Sequence, residues 1–421
     1  MQRLKNIQRT TWLLFLCWLI YTVSLLGKVN YAANITQIES FYKVSHADAG
    51  MASTFYFFAY GIGQVVNGIL CKKYNLKYVI FGGLFISGLM NFLVAFLGNF
   101  AFIKYAWLIN GFALSVLWPC LIRLLSETLP KKEMVRASVA MGTSTAAGTV
   151  IIYSASALFV AIADFTWAFY MAAIALPLVG AAWLAFYNRL AVKVEEDEEE
   201  DTTPIRPSEK PQKGAKMPKE LLVLICLLCF VSVATNLIKD GLTTWVPSIL
   251  KESFALDASF SILLTLALPL VGIFGNLFAN TLYKKMKNFL AQTGLLFFGA
   301  AILIGVVIGA LALGSFVIAL IGFALVYFLV GSSNSTVTSI FPLQMKGKLN
   351  SGLIAGVLNG FCYVGSTISS YGLGLVADAW GWETVFYLLL GVAVAVVVIV
   401  LVYNVVKSFK KKPQVYKDRI K

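Results

Sequence analysis

Leu25-Leu26-Gly27-Lys28-Val29-Asn30-Tyr31 sets a lysine inside a long apolar run, and Asn236-Leu237-Ile238-Lys239-Asp240-Gly241 does so a second time. An ammonium ion in such a run costs several kcal/mol unless it finds a partner or a watery cavity. The two lysines stand 211 residues apart, and the same offset relates Gly61 to Gly272 and Gly111-Phe112-Ala113-Leu114 to Gly322-Phe323-Ala324-Leu325. A shared offset at three separate places points to two copies of one unit. The two lysines are then expected to face each other across the seam between the copies.

Outward from these stretches the chain stays apolar. Of its 421 residues 59% are hydrophobic and 13% charged, well below the roughly 25% charged of a soluble domain. Uncharged or nearly uncharged runs long enough to span a bilayer as helices fall at 12–35, 51–71, 78–98, 105–128, 138–162, 166–189, 221–250, 259–283, 288–312, 316–343, 351–377 and 384–406. The expected fold is therefore all-α and integral to the membrane, with twelve transmembrane helices in two pseudo-symmetric six-helix halves. The expected organisation is a first bundle over 1–190, a disordered cytoplasmic linker over 191–220, a second bundle over 221–406 and a basic tail over 407–421. The linker carries the acidic block Glu195 to Asp201 followed by Pro204, Pro207 and Pro211, a composition that buries too little apolar surface to fold alone.

The net charge of +14 would suggest nucleic acid in a soluble protein, but its distribution has a membrane explanation. Lys72, Lys73 and Lys77, then Lys131, Lys132 and Arg136, then Lys284, Lys285 and Lys287, then Lys346 and Lys348 occupy alternate loops, and further lysines fill both chain ends. The intervening loops hold Lys43, Lys104 and Lys251. The positive-inside rule then places both termini in the cytoplasm, with a bacterial inner membrane as the expected location. The first apolar run is too long for a cleavable signal and lacks a small-residue cleavage site. Cys226 and Cys229 have redox or metal spacing, but they lie in a run of leucines and read as small apolar side chains. His46 is the one histidine and falls in the first external loop, which argues against a histidine-based metal site or catalytic triad.

Polar residues inside the spans are the candidates for function, because lipid offers them no hydrogen bonds. Lys28 lies about 24 Å along its helix from Trp12, so on its own it could be a lysine reaching for the interface. The repeat partner Lys239 favours an inward-facing cavity instead. Tyr60, Gln64 and Asn67 recur at spacings of four and three and share one helical face. Asp240 is expected either to make burial of a lysine tolerable or to take up a proton during transport. Arg123 follows Trp118-Pro119 and precedes Glu127; pairing with that acid is its expected role, and gating or coupling the alternative. Asn236, Tyr363 and the polar runs around Asn334 and Asn359 supply neutral hydrogen-bonding groups.

The two halves, the cytoplasmic linker and the basic loops resemble the major facilitator superfamily. Within it, the chain resembles the organophosphate:inorganic phosphate antiporters, which include glycerol-3-phosphate and hexose-phosphate transporters. The residues that carry this are Tyr60-Gly61 with Gly68, Asn75 and Lys77; Trp118-Pro119 with Arg123; Lys239-Asp240-Gly241 with Trp245-Val246-Pro247; and Gly356, Tyr363, Gly365, Asp378 and Gly381-Trp382. The family grips phosphate with one arginine on helix 1 and one on helix 7. The resemblance carries these roles to Gly27 or Lys28 and to Lys239, while the family's helix 2 lysine falls on Gln64 and its helix 5 histidine on Ser144. Tyr60 and Tyr363 match pocket tyrosines, and Lys72 stands where the superfamily's loop motif has an aspartate.

The expected function is secondary active transport of a small organic anion, a phosphate ester, phosphonate or carboxylate, by alternating access and anion exchange. The substrate-binding set is Lys28, Lys239, Tyr60, Gln64, Asn236 and Tyr363. The expected partners are that anion, inorganic phosphate as counter-substrate and the lipid bilayer, for a monomer with no nucleic acid, metal or cofactor. The alternative is a transporter-like sensor that binds the anion and signals through a partner. An enzyme is the weakest reading, since the sequence shows no nucleophile and base set, no phosphate-cradling glycine loop and no metal cluster.

Overall fold

The computed structural model describes residues 2–192, 219–345 and 351–417, and the described chain is all-α. The acidic block of the expected linker, its prolines, and Lys346 and Lys348 lie outside the described residues. Twelve long apolar helices are present among them: α1 (Gln8–Ala33), α2 (His46–Lys73), α3 (Leu76–Leu97), α4 (Phe100–Thr128), α5 (Val139–Ile162), α6 (Thr166–Leu190), α7 (Lys219–Ser253), α8 (Ala258–Met286), α9 (Phe289–Ala312), α10 (Phe316–Ile340), and α11 and α12 within 354–408. Gly381 separates the last two, because its φ of 79° is a left-handed conformation that ends one helix and lets the next begin.

The helix starts are legible in the local sequence. Asn75, Asn99, Asp257 and Asn288 each accept a hydrogen bond from a backbone N–H of the first turn of α3, α4, α8 and α9, which satisfies a donor the helix itself leaves orphaned. The outward faces carry large exposed apolar side chains such as Phe96, Ile162, Leu178, Leu277 and Leu401, the surface that lipid tails cover. The protein is a multi-pass integral membrane protein.

Inside each half, helices approach through small residues, the packing mode that dominates where there is no hydrophobic drive between helices. A Cβ on Gly148 of α5 would strike the Thr22 carbonyl of α1, and one on Gly365 of α11 would strike the Val233 carbonyl of α7. In the first half a buried polar knot locks α1 to its neighbours: Asn110 donates to the Gly27 carbonyl, Ser87 donates to Asn110, and Asn30 donates to Asn91. Gly27 therefore points into its own bundle, where a side chain would collide with Leu176, Ser87 and Asn91. Lys28, one step on, points the other way.

Two helices are irregular, α8 beside the central cavity and α10 at its end. α8 is broken into Ala258–Leu264, Ala267–Gly272 and Gly275–Met286; Pro269 has no N–H to give the Thr265 carbonyl. α10 ends in a π-helical turn, Thr336–Ile340. Irregular backbone is tolerated at membrane depth where it is buried in protein or lines a cavity, and Thr265, Leu268 and Pro269 do line one.

The halves meet through α2 with α11 and α5 with α8, and the hydrogen bonds between them cluster toward one end. Asp378 accepts from the backbone N–H groups of His46 (2.9 Å) and Ala47 (2.8 Å), at the start of α2. Thr54 donates to the Thr367 carbonyl, Tyr153 to the Thr243 carbonyl and Ser259 to the Ala157 carbonyl. Gly50 and Gly374 have no room for a side chain, since a Cβ would meet the Ser370 carbonyl and the His46 backbone respectively. This closed end is the one that the charge pattern assigns to the outside.

Candidate functional site

Between the halves lies a cavity of about 170 Å³ bordered by α1, α2, α4, α5, α7, α8, α10 and α11, with Lys28 and Lys239 both in its wall. The repeat-related lysines therefore share one chamber, but their surroundings differ. Lys28 has no ion-pair partner among the described residues. Its Nζ sits 4.3 Å from the Tyr60 ring centroid and 5.9 Å from those of Tyr56 and Tyr363. Tyr363 comes from α11 and its ring centroid is 4.9 Å from that of Tyr60, so the cage around Lys28 closes across the seam. Ring faces attract a cation through their quadrupole without neutralising it.

Lys239, by contrast, has a carboxylate. Its Nζ is 3.3 Å from Asp240 Oδ1, with both side chains less than one-fifth exposed. Asp240 Oδ2 accepts from Ser366 Oγ and from Asn236 Nδ2, the latter at 3.2 Å and one helical turn back. The use of Asp240 as the partner of a buried lysine is what the geometry displays. Asn236 borders the cavity and its own Oδ1 has no hydrogen-bond partner. Asn334, Asn359, Thr145, Thr149 and Tyr327 are among the other polar residues of the wall.

Gln64 lies elsewhere. Pro119 in α4 has no N–H for the Ser115 carbonyl, and Gln64 Nε2 donates to that carbonyl at 3.2 Å, while Asn67 donates to Ser115 Oγ. The stripe on α2 is thus divided: Tyr60 reaches toward Lys28, and its two lower members mend α4. Arg123 is also remote from the cavity. Its Nε donates to Glu127 at 2.7 Å within the same helix, and its guanidinium reaches the carbonyls of Cys71, in the last turn of α2, and of Tyr74 just beyond it. Ser144 is buried and bonded to its own helix. Cys226 is exposed and Cys229 buried, and both are free.

A family model described as Major Facilitator Superfamily matches residues 17–368. The chain belongs to that superfamily. Among curated proteins, this facilitator is 24% identical over 409 residues to the membrane sensor protein UhpC of Escherichia coli (strain K12), across 92% of this chain and 90% of that one. It is also 24% identical over 378 residues to a probable hexose phosphate transport protein of Chlamydia pneumoniae, across 82% and 80% of the two chains. Among solved structures, a bacterial homolog of the human lysosomal transporter Spinster superposes with a TM-score of 0.70 at 14% identity, covering 94% of this chain and 96% of that one. The facilitator is a transporter and not an enzyme.

One cluster was invisible to sequence reasoning. At the closed end His46 Nδ1 lies 2.9 Å from Glu39 Oε1, and His46 Nε2 lies 3.2 Å from Glu252 Oε2. Glu39 Oε2 accepts from Ser248, and Glu252 Oε2 accepts from the Trp382 indole at 2.8 Å. Burial raises the Glu39 carboxyl above its ordinary pKa, and the hydrogen bond from His46 pulls it back. Glu39 sits on the short helix Ile35–Tyr42, His46 on α2, and Glu252 and Ser248 on α7. No local pattern links residues drawn from two halves.

Proposed function

We propose that the facilitator moves a small organic anion between the two sides of the membrane by alternating access, with Lys28 and Lys239 as the anion-binding cations. The observation that carries this is Lys28: a cation in a chamber between the halves, surrounded by ring faces and lacking a carboxylate. Closing the halves would take this unneutralised charge out of water, which is unfavourable without an anion beside it, so substrate lowers the cost of closing the halves around it. That logic favours exchange of one anion for another, inorganic phosphate being a candidate counter-substrate, over a one-way leak. Tyr363 and Asn236, which border the cavity, position the anion, and Tyr60 holds the Lys28 ammonium from behind the wall. Gln64 and Arg123 support α4 and the connection after α2. Relatives named as a hexose phosphate transporter and as a membrane sensor fit recognition of an organic anion.

Counterflow in proteoliposomes tests the reading. Vesicles preloaded with a panel of phosphate esters, phosphonates and carboxylates are expected to drive uptake of the matching labelled anion, and Lys28→Ala to abolish it. Binding without counterflow would instead favour a sensor working through a signalling partner.

A further inference from the structure

The charges in the cavity wall do not cancel, and their sum bears on which anions fit. Lys28, Lys239 and Asp240 are the charged residues that border it, so two positive charges and one negative leave a single positive charge. The aspartate is held in the hydrogen-bonding role of its ionised form. Lys239 approaches one oxygen, while Asn236 and Ser366 donate to the other, and a carboxylate that only accepts is an ionised one. The rings around Lys28 carry no net charge. Both cations are lysines, which meet an anion as point charges and lack the flat fork with which arginine engages two phosphate oxygens at once.

We infer that Asp240 sets a charge preference in the site, so that the facilitator takes small monoanions, such as carboxylates, sulfonates or sulfate esters, ahead of dianions such as phosphate monoesters. The inference rests on the cavity being the anion site, as proposed above, and narrows it. A monoanion brings the chamber to neutrality. A dianion overshoots by one charge and meets the Asp240 carboxylate, a repulsion that the low dielectric of the interior magnifies. Asp240 acts here as a specificity-determining residue: without it the same two lysines would match a dianion.

The test compares propyl sulfate with propyl phosphate, which share a shape and differ in titration, on purified full-length protein by calorimetric titration. The phosphate ester is mostly monoanionic at about pH 5 and dianionic at about pH 8, while the sulfate ester stays a monoanion throughout. In the wild type the two are expected to bind alike at the acidic pH, and propyl phosphate to weaken relative to propyl sulfate by about tenfold or more at the alkaline pH. In Asp240→Asn that gap is expected to close or reverse. Equal or tighter binding of the phosphate dianion by the wild type overturns the inference, and so does a gap that Asp240→Asn leaves unchanged. The wild-type comparison decides the matter even where the variant does not fold. Should a dianion win while Lys28→Ala abolishes binding of both esters, the anion site stands and only the charge preference falls. If neither ester binds at either pH, the anion site falls and takes the inference with it.

Discussion

The closed end and the cavity both bring charged residues to the seam between the halves, and they are built in opposite ways. At the closed end His46 lies between two carboxylates, Glu39 and Glu252, and the ring that donates to both is the imidazolium. Trp245 and Trp382 flank it, with ring centroids 5.8 and 4.9 Å away. In the cavity, Lys28 meets ring faces alone, and the one carboxylate belongs to Lys239. A histidine held by two acids has its hydrogen-bond partners within the protein and ties the halves together. A cation left over needs a ligand. On the proposed function, the contrast separates residues that maintain a conformation from residues that recognise cargo, although both sets span the same seam.

Lys28→Ala is expected to break the comparison most visibly, with loss of anion uptake and little change in thermal unfolding midpoint, since it removes a cation that no buried acid depends on. A large loss of stability would show that Lys28 is structural after all. Lys239→Ala is expected to lower stability by about 3 kcal/mol, because it leaves Asp240 buried without its cation. The double variant Lys239→Ala/Asp240→Asn should recover much of that loss, and the thermodynamic cycle measures the coupling.

Third in size, His46→Ala leaves two carboxylates facing each other and should loosen the closed end by about 2 kcal/mol. Spin labels placed on α2 and α11 would report a shift toward longer distances, with anion affinity in the cavity unaltered. The smallest effect is expected of Gln64→Leu, which strands the Ser115 carbonyl at a cost of about 1 kcal/mol. Anion affinity should stay at the wild-type value; a large drop would return Gln64 to the binding set that its helical stripe suggests.

Much of the architecture was legible in the chain because a membrane imposes few solutions. Backbone groups in lipid must be satisfied within a helix, so apolar runs report the spans and Asn75, Asn99, Asp257 and Asn288 mark where helices start. The 211-residue offset brought Lys28 and Lys239 to one chamber. Which of Gly27 and Lys28 faces the chamber was not legible, because neighbouring positions differ only in which side of α1 they occupy. The polar knot around Asn110 decided it. Gln64 looked like a ligand because its spacing from Tyr60 is helical, and the carbonyl that Pro119 frees on another helix gave it a different partner.

Sequence alone determined the number of helices, the pairing of the halves and which ionisable residues lie deep in the spans, since each follows from apolar length, repeat spacing and the cost of burying charge. Tertiary structure decided which partner each buried polar group meets. Most of those partners come from other helices: a tyrosine face for Lys28, a stranded carbonyl for Gln64 and two acids for His46, while Lys239 meets the carboxylate beside it on α7. Hydrogen bonds and ion pairs act over a few ångströms, and only the folded chain brings those partners within reach.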